Sequence, residues 1–255
     1  MSPASLISKA LALVWPARCA ACDRFVDERA VFCGACAHGL DPLVGLCPGC
    51  ALPPEHAPTS SADKLCRRCR RLPFTFATAS ASLAYGETIA DAIVRMKHGG
   101  RRDLGRRLAP LLVPALADVC RRAKLGPGDL ALPVPLHVTR LRARGFNQAL
   151  ELARGALAAL ARTPRLAPAT TLPRLERHLL VRTRATRPLG HSSPAARLAE
   201  VSGAFAVPDP ARIRARRVLL IDDVMTTGAT FESCATTLLQ AGASEVHVFA
   251  LARAV

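Results

Sequence analysis

Four C-x-x-C pairs, Cys19/Cys22, Cys33/Cys36, Cys47/Cys50 and Cys66/Cys69, separated by 10, 10 and 15 residues, constrain this chain more than any other feature. A two-residue spacer lets both thiolates converge on one tetrahedral ion at ~2.3 Å, and two pairs complete a closed four-thiolate site. The series predicts two structural zinc ions in a double zinc ribbon over residues 19–72. Gly34, Pro48 and Gly49 suit the tight knuckle in which backbone N–H groups also point at sulfur. The segment is too short to bury a core of its own, so metal must supply much of its folding free energy. A disulfide framework would need an exported chain, and a redox C-x-x-C would not need four copies. Spacing leaves open whether the pairs combine sequentially or interleaved; we favour the sequential arrangement. With four protein ligands each, neither ion keeps an open position for hydrolysis. Cys120 and Cys234 stand apart from the pairs in apolar helical patterns and read as buried thiols.

The chain carries 35 Lys+Arg against 19 Asp+Glu, a formal net charge of +16. Two filled four-thiolate sites would lower this to about +12, still basic. Such a balance admits polyanionic partners: nucleic acid, phosphorylated sugars or anionic lipid. Half the residues are apolar, which excludes a disordered chain. The apolar run Leu6–Trp15 is interrupted by Ser8 and Lys9 and falls short of the ~20 residues a bilayer demands. Met1–Ala4 carries no basic side chain, and Ala10-Leu11-Ala12 lies inside the run rather than after it, unlike an export signal. Residues 1–18 are expected to form a short amphipathic helix, with no transmembrane segment and a cytoplasmic location.

From Pro73 onward strands alternate with helices. Phe74–Tyr85 is β-like, and Ile89, Ile93, Val94 and Met96 recur at helical spacing up to a stop at Lys97-His98-Gly99-Gly100. A second helix is expected from about Asp103 to Cys120, a short strand at Leu130–Val134, and a helix capped by Asn147 running through about Ala161. Val218–Ile221 is an unbroken apolar strand, followed by a turn, a helix to Gln240 with Gly242 at its end, and a last strand Val246–Leu251. Apolar strands buried on both faces predict an α/β domain over residues 73–255, built on a mainly parallel sheet flanked by helices.

The most informative stretch is Val218-Leu219-Leu220-Ile221-Asp222-Asp223-Val224-Met225-Thr226-Thr227-Gly228-Ala229-Thr230. Ligands of open parallel sheets bind beyond the carboxyl ends of the strands. A loop of Thr, Gly and Ala entering a helix directs N–H groups, hydroxyls and the helix dipole at one point, which suits a phosphate. Asp222 and Asp223 would repel phosphate but accept hydrogen bonds from sugar hydroxyls, so a sugar phosphate satisfies both halves. The absence of a Lys after the Gly excludes a Walker A loop.

This stretch resembles the phosphoribosyl-pyrophosphate (PRPP) motif of type I phosphoribosyltransferases. That resemblance implies that Asp222 and Asp223 hold the ribose hydroxyls, that Thr226, Thr227, Gly228, Ala229 and Thr230 cradle the 5′-phosphate, and that Mg2+ accompanies PRPP. Leu132-Pro133-Val134-Pro135-Leu136, the block Arg140-Leu141-Arg142-Ala143-Arg144-Gly145-Phe146-Asn147-Gln148, the cysteine series and Tyr85…Lys97-His98-Gly99 are together similar to the ComF family of competence-associated proteins. The family implies a double zinc ribbon fused to a type I phosphoribosyltransferase-like domain, and a role in DNA uptake or processing alongside competence machinery. It also implies a loop seen here as Arg197–Phe205, in which Glu200 replaces the usual Asn, and a Gln that is missing around Pro188–His191.

Departure of pyrophosphate from ribose would place negative charge on the leaving group and positive charge on the sugar. Lys97, Arg140 and Arg144 are candidates for the first, with Arg144 favoured because Gly145 permits an unusual turn, and Asp222 or Asp223 for the second. Between Thr170 and Arg217 ten arginines face only Glu176, Glu200 and Asp209, and further clusters stand at Arg67-Arg68-Arg70-Arg71 and Arg101-Arg102-Arg106-Arg107. These suit phosphates along single-stranded DNA. With 4% aromatic residues, base stacking would be sparse. Two functions are expected as alternatives: a PRPP-binding factor that handles single strands, or a phosphoribosyltransferase with an unidentified acceptor.

Overall fold

Residues 16–56, 64–166, 172–186 and 199–255 are described by the structure, a computed structural model. The helix expected over residues 1–18 falls mostly outside them, as does the Pro188–His191 stretch; Arg18 itself forms an antiparallel bridge with Phe25.

Strand β6, Arg217–Met225, organises the molecule. Its side chains alternate between two cores: Leu219 and Ile221 face one, Val218 and Leu220 the other, and all four are fully buried. Strand β7, Glu245–Arg253, repeats the pattern, with Phe249 and Leu251 on one side and Val246 and Val248 on the other. Such strands need cover on both faces, and a parallel sheet supplies the crossover helices that give it. With β1 (Thr78–Ala84), β2 (Leu130–Pro133) and β3 (Arg174–Leu175) they form a five-stranded sheet in the order β1-β7-β6-β2-β3, every neighbouring pair parallel. A small antiparallel pair, β4 (Val181–Arg182) and β5 (Phe205–Ala206), stands apart.

Two short helices begin the described chain, α1 (Gly34–His38) and α2 (Arg67–Arg71), each with a cysteine, Cys33 or Cys66, at its N-cap. Helix α3, Glu87–His98, matches the periodicity of its apolar residues and stops at Gly99. The helix expected over 103–120 is broken instead into α4 (Asp103–Leu108), a 3-10 turn (Ala109–Leu112) and α5 (Val113–Arg122). Pro110 and Pro114 cause the break, because each removes an N–H and clashes with the preceding turn. Helix α6, Val138–Arg144, ends at Gly145 in the left-handed region, φ 81°. Helix α7, Gln148–Ala161, is capped as expected: the Asn147 side chain accepts from Ala149 N at 2.9 Å. Helix α8, Ala229–Gln240, follows β6. Helices α3, α4, α5 and α7 cover one face through residues such as Ile93, Leu104, Leu116 and Leu152, and α8 covers the other through Phe231, Cys234 and Leu238. Cys120 and Cys234 are buried, as expected.

The cysteine-rich segment is joined to this body. Cys19, Ala20, Ala21 and Phe32 belong to the same core as Ile89 and Leu104. Residues 41–48 run along the outer edge of β1: Leu43 N donates to Ser82 O at 3.0 Å, Ala84 N to Asp41 O at 2.8 Å, and Ala79 N to Pro48 O at 2.6 Å. An otherwise open sheet edge is thereby paired.

Candidate functional site

The two carboxylates lie inside β6, not beyond it, because the strand continues to Met225 with Asp222 opposite Ala250 and Val224 opposite Ala252. Alternation sends them to different faces. Asp223 follows Ile221 toward α3 and α7, where Lys97 Nζ forms an ion pair with it and Gln148 Nε2 donates to Oδ1 at 3.3 Å. Asp223 is 3% exposed, and Asp222 is half-buried. Asp222 Oδ1 accepts from Asp223 N at 2.8 Å. Burial and the adjacent Asp223 charge push the Asp222 carboxyl well above the ordinary carboxylate range. Burial would raise Asp223 too, but the Lys97 ammonium, with hydrogen bonds from Asp222, Lys97 and Gln148, holds it below that range. One full negative charge and one carboxyl reluctant to ionise therefore share the end of the strand.

Both acids line a cavity of about 370 Å³ at the carboxyl ends of β1, β2 and β6, together with Tyr85, Lys97, Pro135, Leu136, Arg140, Gln148, Arg182, Thr226 and Thr230. This is where ligands of open α/β sheets sit. Of the expected residues, Lys97, Arg140, Asp222, Asp223, Thr226 and Thr230 meet here. Thr227, Gly228 and Ala229 do not line it: Thr227 is in the turn after β6, Gly228 is the N-cap of α8 with φ 86°, and Ala229 is the first residue of that helix. Arg144 does not line the cavity; its Nη1 donates to Gln148 Oε1 at 2.5 Å, so it reaches the acids through Gln148. Burial lowers the Arg144 guanidinium from its usual value while the two acids oppose that shift. Gln148, Arg182 and Tyr85 join the site without a site motif of their own in the sequence. Gln148 had a signal, since it follows the cap residue on the first turn of a helix aimed at the acids. Arg182, brought in by the β4–β5 pair, had none.

The cysteines form two groups, Cys19/Cys22/Cys33/Cys36 and Cys47/Cys50/Cys66/Cys69, with ligand atoms within 4.8 Å of one another. The pairing is sequential. Cys22 and Cys33 sulfurs are 3.7 Å apart, and those of Cys50 and Cys66 3.8 Å, against the about 3.8 Å that a tetrahedron with ~2.3 Å Zn–S bonds requires. Cys33 N donates to Cys19 Sγ and Cys66 N to Cys47 Sγ, both at 3.3 Å, the same knuckle in each. Hydrogen bonds from Cys69 outweigh burial and draw the Cys50 thiol down to about 5. Backbone N–H groups overcome burial at Cys19 and bring it to about 6. Burial and the other thiols push Cys36 up to about 12. Such a set is short of positive charge, which a dication supplies. Both groups fit structural zinc.

The basic clusters are less free than their count suggests. Arg101 pairs with Asp103 at 2.8 Å, Arg102 with Glu151 at 2.8 Å, and Arg107 donates to the carbonyls of Arg18 and Ala30. Arg174 and Arg212 share Glu176, and Arg217 pairs with Asp129. The four arginines of α2 are solvent-exposed, with the Arg68 guanidinium 5.5 Å from the Phe74 ring centre. Among the described residues no helix is long and apolar enough to cross a membrane.

Known proteins match the zinc-binding segment and much of the chain's length. Residues 10–71 match the double zinc ribbon domain. The DNA utilization protein YhgH of Salmonella typhimurium is 29% identical over 221 residues, covering 87% of this chain and 89% of the relative. Competence protein F of Haemophilus influenzae is 31% identical over 171 residues, covering 67% and 70%. Among solved structures, hypoxanthine-guanine phosphoribosyl transferase of L. donovani aligns with 16% identity and a TM-score of 0.32, covering 58% of this chain and 67% of that one. Glutamine PRPP amidotransferase from B. subtilis aligns with 22% identity and a TM-score of 0.31, covering 62% and 27%. The class is a zinc-ribbon protein with a parallel α/β body. The chain belongs to the ComF family.

Proposed function

We propose that this chain binds PRPP, as its Mg2+ complex, in the cavity at the end of β6, and that it serves DNA uptake or use, contacting single-stranded DNA through basic surfaces. The names of its relatives, a DNA utilization protein and a competence protein, support the cellular role. The observation that carries the ligand is the meeting, in one cavity of about 370 Å³, of two carboxylates with Lys97, Arg140, Thr226 and Thr230. The acids accept from ribose hydroxyls. The Thr226–Thr230 turn, at the N-terminus of α8, receives the 5′-phosphate, and Lys97 and Arg140 face the pyrophosphate. Mg2+ would be held mainly by ligand oxygens and water, because the acids are already engaged with the sugar and Lys97. Arg144, one step removed through Gln148, is a positioning residue in this scheme.

Calorimetry of Mg-PRPP on purified protein tests the reading: binding is expected, and Asp222→Ala or Thr230→Val should weaken it at least about tenfold. Absence of any heat with the wild-type chain would end it. For nucleic acid, binding to an oligo-dT strand should fall steeply between low and moderate salt, and Arg67→Ala with Arg71→Ala should flatten that slope by about 2. Salt-independent binding would contradict phosphate contacts.

A second reading, turnover, is supported by a neighbouring cavity of about 420 Å³ that shares Pro135, Leu136 and Arg182 with the first and is lined further by Leu141, Phe146 and His178. It offers room for an acceptor. In that case the C1–pyrophosphate bond breaks with its electron pair departing on pyrophosphate, and the acceptor nitrogen bonds C1 and releases its proton to solvent. Acceptor-dependent pyrophosphate release, abolished in Asp223→Ala, would establish it.

A further inference from the structure

One side chain joins the proposed ligand loop to the second metal centre. Arg253, the last residue of β7, is 3% exposed. Its Nε donates to the Cys50 carbonyl at 2.8 Å. Its Nη1 donates to the Met225 carbonyl at 3.1 Å and also to those of Thr226 and Ala254. Cys50 belongs to the second four-cysteine group, and Met225 and Thr226 open the turn that leads to α8. An apolar tie runs in parallel. Phe74, just past the last cysteine pair, stacks on Phe76 at 4.6 Å, and a Cβ on Gly228 would stand 3.1 Å from both Phe74 and the Met225 methyl. Thr75 N donates to the Glu232 carboxylate on the first turn of α8 at 2.9 Å. The first cysteine group packs instead into the core formed with Ile89 and Leu104, on the far face of the sheet.

We propose that Arg253 is a positioning residue which, backed by the filled second zinc site, fixes the Met225–Thr226 backbone, so that zinc at the second site, and not at the first, tunes affinity for the phosphate ester. The inference rests on the ligand reading above. A guanidinium presents its donors in a rigid fork, and the carbonyls it holds cannot turn without stranding a buried donor. A loop fixed before the ligand arrives spares the ordering cost of binding. The second site stays rigid only while four thiolates share one ion, and Cys50 O is its point of contact with Arg253.

The test uses the full chain and two readouts: calorimetry with Mg-PRPP, and NMR of 13C-methyl methionine. Met225 is 1% exposed with its methyl against the loop, whereas Met96 is buried in α3 and serves as the control. Arg253→Gln at wild-type zinc content should weaken PRPP binding at least about tenfold and move the Met225 methyl signal while Met96 stays. Cys66→Ser should reproduce both effects and Cys22→Ser neither. An unmoved Met225 signal in zinc-loaded Arg253→Gln, unchanged PRPP affinity in that variant, or equal effects of the two cysteine variants would overturn the proposal. If the wild-type chain fails to bind Mg-PRPP, the ligand reading falls alone, and the methyl signals still decide the role of Arg253. Should Arg253→Gln lose zinc or move both methyls, Arg253→Lys takes its place under the same two outcomes, since its ammonium keeps the charge but cannot span the Cys50 and Thr226 carbonyls.

Discussion

Asp222 and Asp223 are sequence neighbours in opposite circumstances. Asp223 is bound by Lys97 and Gln148, whereas Asp222 has burial and a like charge against it. The signs separate two isosteric variants. A carboxyl whose folded pKa is raised loses stability as pH climbs above its unfolded value of about 4, and one whose folded pKa is depressed loses stability as pH falls through that folded value. Asp222→Asn should therefore raise the melting temperature at neutral pH by roughly 2–4 °C, a gain that shrinks toward pH 4, while weakening PRPP binding. Asp223→Asn should cost about 1–3 kcal/mol at pH 7, because it strands the Lys97 ammonium. Melting curves from pH 4 to 8 check both. The paired acids and the turn after them were legible because few sequences put D-D and T-T-G-A-T after an apolar strand. Their division between faces follows because the strand runs four residues past the apolar run, to Met225. Arg144 stood out in the sequence only through Gly145; its place outside the cavity, bonded to Gln148, depends on the register of α6 against α7.

At the scale of elements, periodicity located α3, α7 and α8 well, since caps and apolar spacing agreed in each. It failed over residues 103–122, where the apolar spacing runs on through Pro110 and Pro114 and the backbone does not. Strand order was not legible at all: β6 lies between β7 and β2 because of crossovers whose lengths do not encode position. Helices α4 and α7 approach closely through glycine. A Cβ on Gly105 would stand 2.5 Å from the Glu151 Cβ, and one on Gly155 would stand 2.7 Å from the Ala109 Cβ. Gly105→Ala should cost about 1–3 kcal/mol in urea denaturation, with Gln148 displaced and PRPP affinity reduced as a secondary effect. An unchanged midpoint would mean the helices can part freely.

Across the whole molecule, net charge was a poor guide to free charge. Among the described residues, Arg101, Arg102, Arg107, Arg174, Arg212, Arg216 and Arg217 are engaged by carboxylates or carbonyls, while the arginines of α2, on the zinc ribbon, are solvent-exposed. The sequence separates ribbon from body at residue 72, yet Phe32 and Cys19 share a core with Ile89. Chelation of zinc should accordingly shift the single calorimetric transition of the entire chain downward rather than melt a small unit ahead of a stable body. Two resolved transitions would contradict shared packing.

The strip at residues 41–48 that hydrogen-bonds to β1 carries a practical lesson for anyone dissecting this protein. Trimming at Leu72 would not liberate a tidy α/β fragment; it would unzip a β ladder and bare a row of amides and carbonyls beside Ala79, Ala81 and Leu83. Such fragments seek the missing partner in one another, so the shortened protein is expected to elute from a sizing column as growing aggregates where the intact one does not.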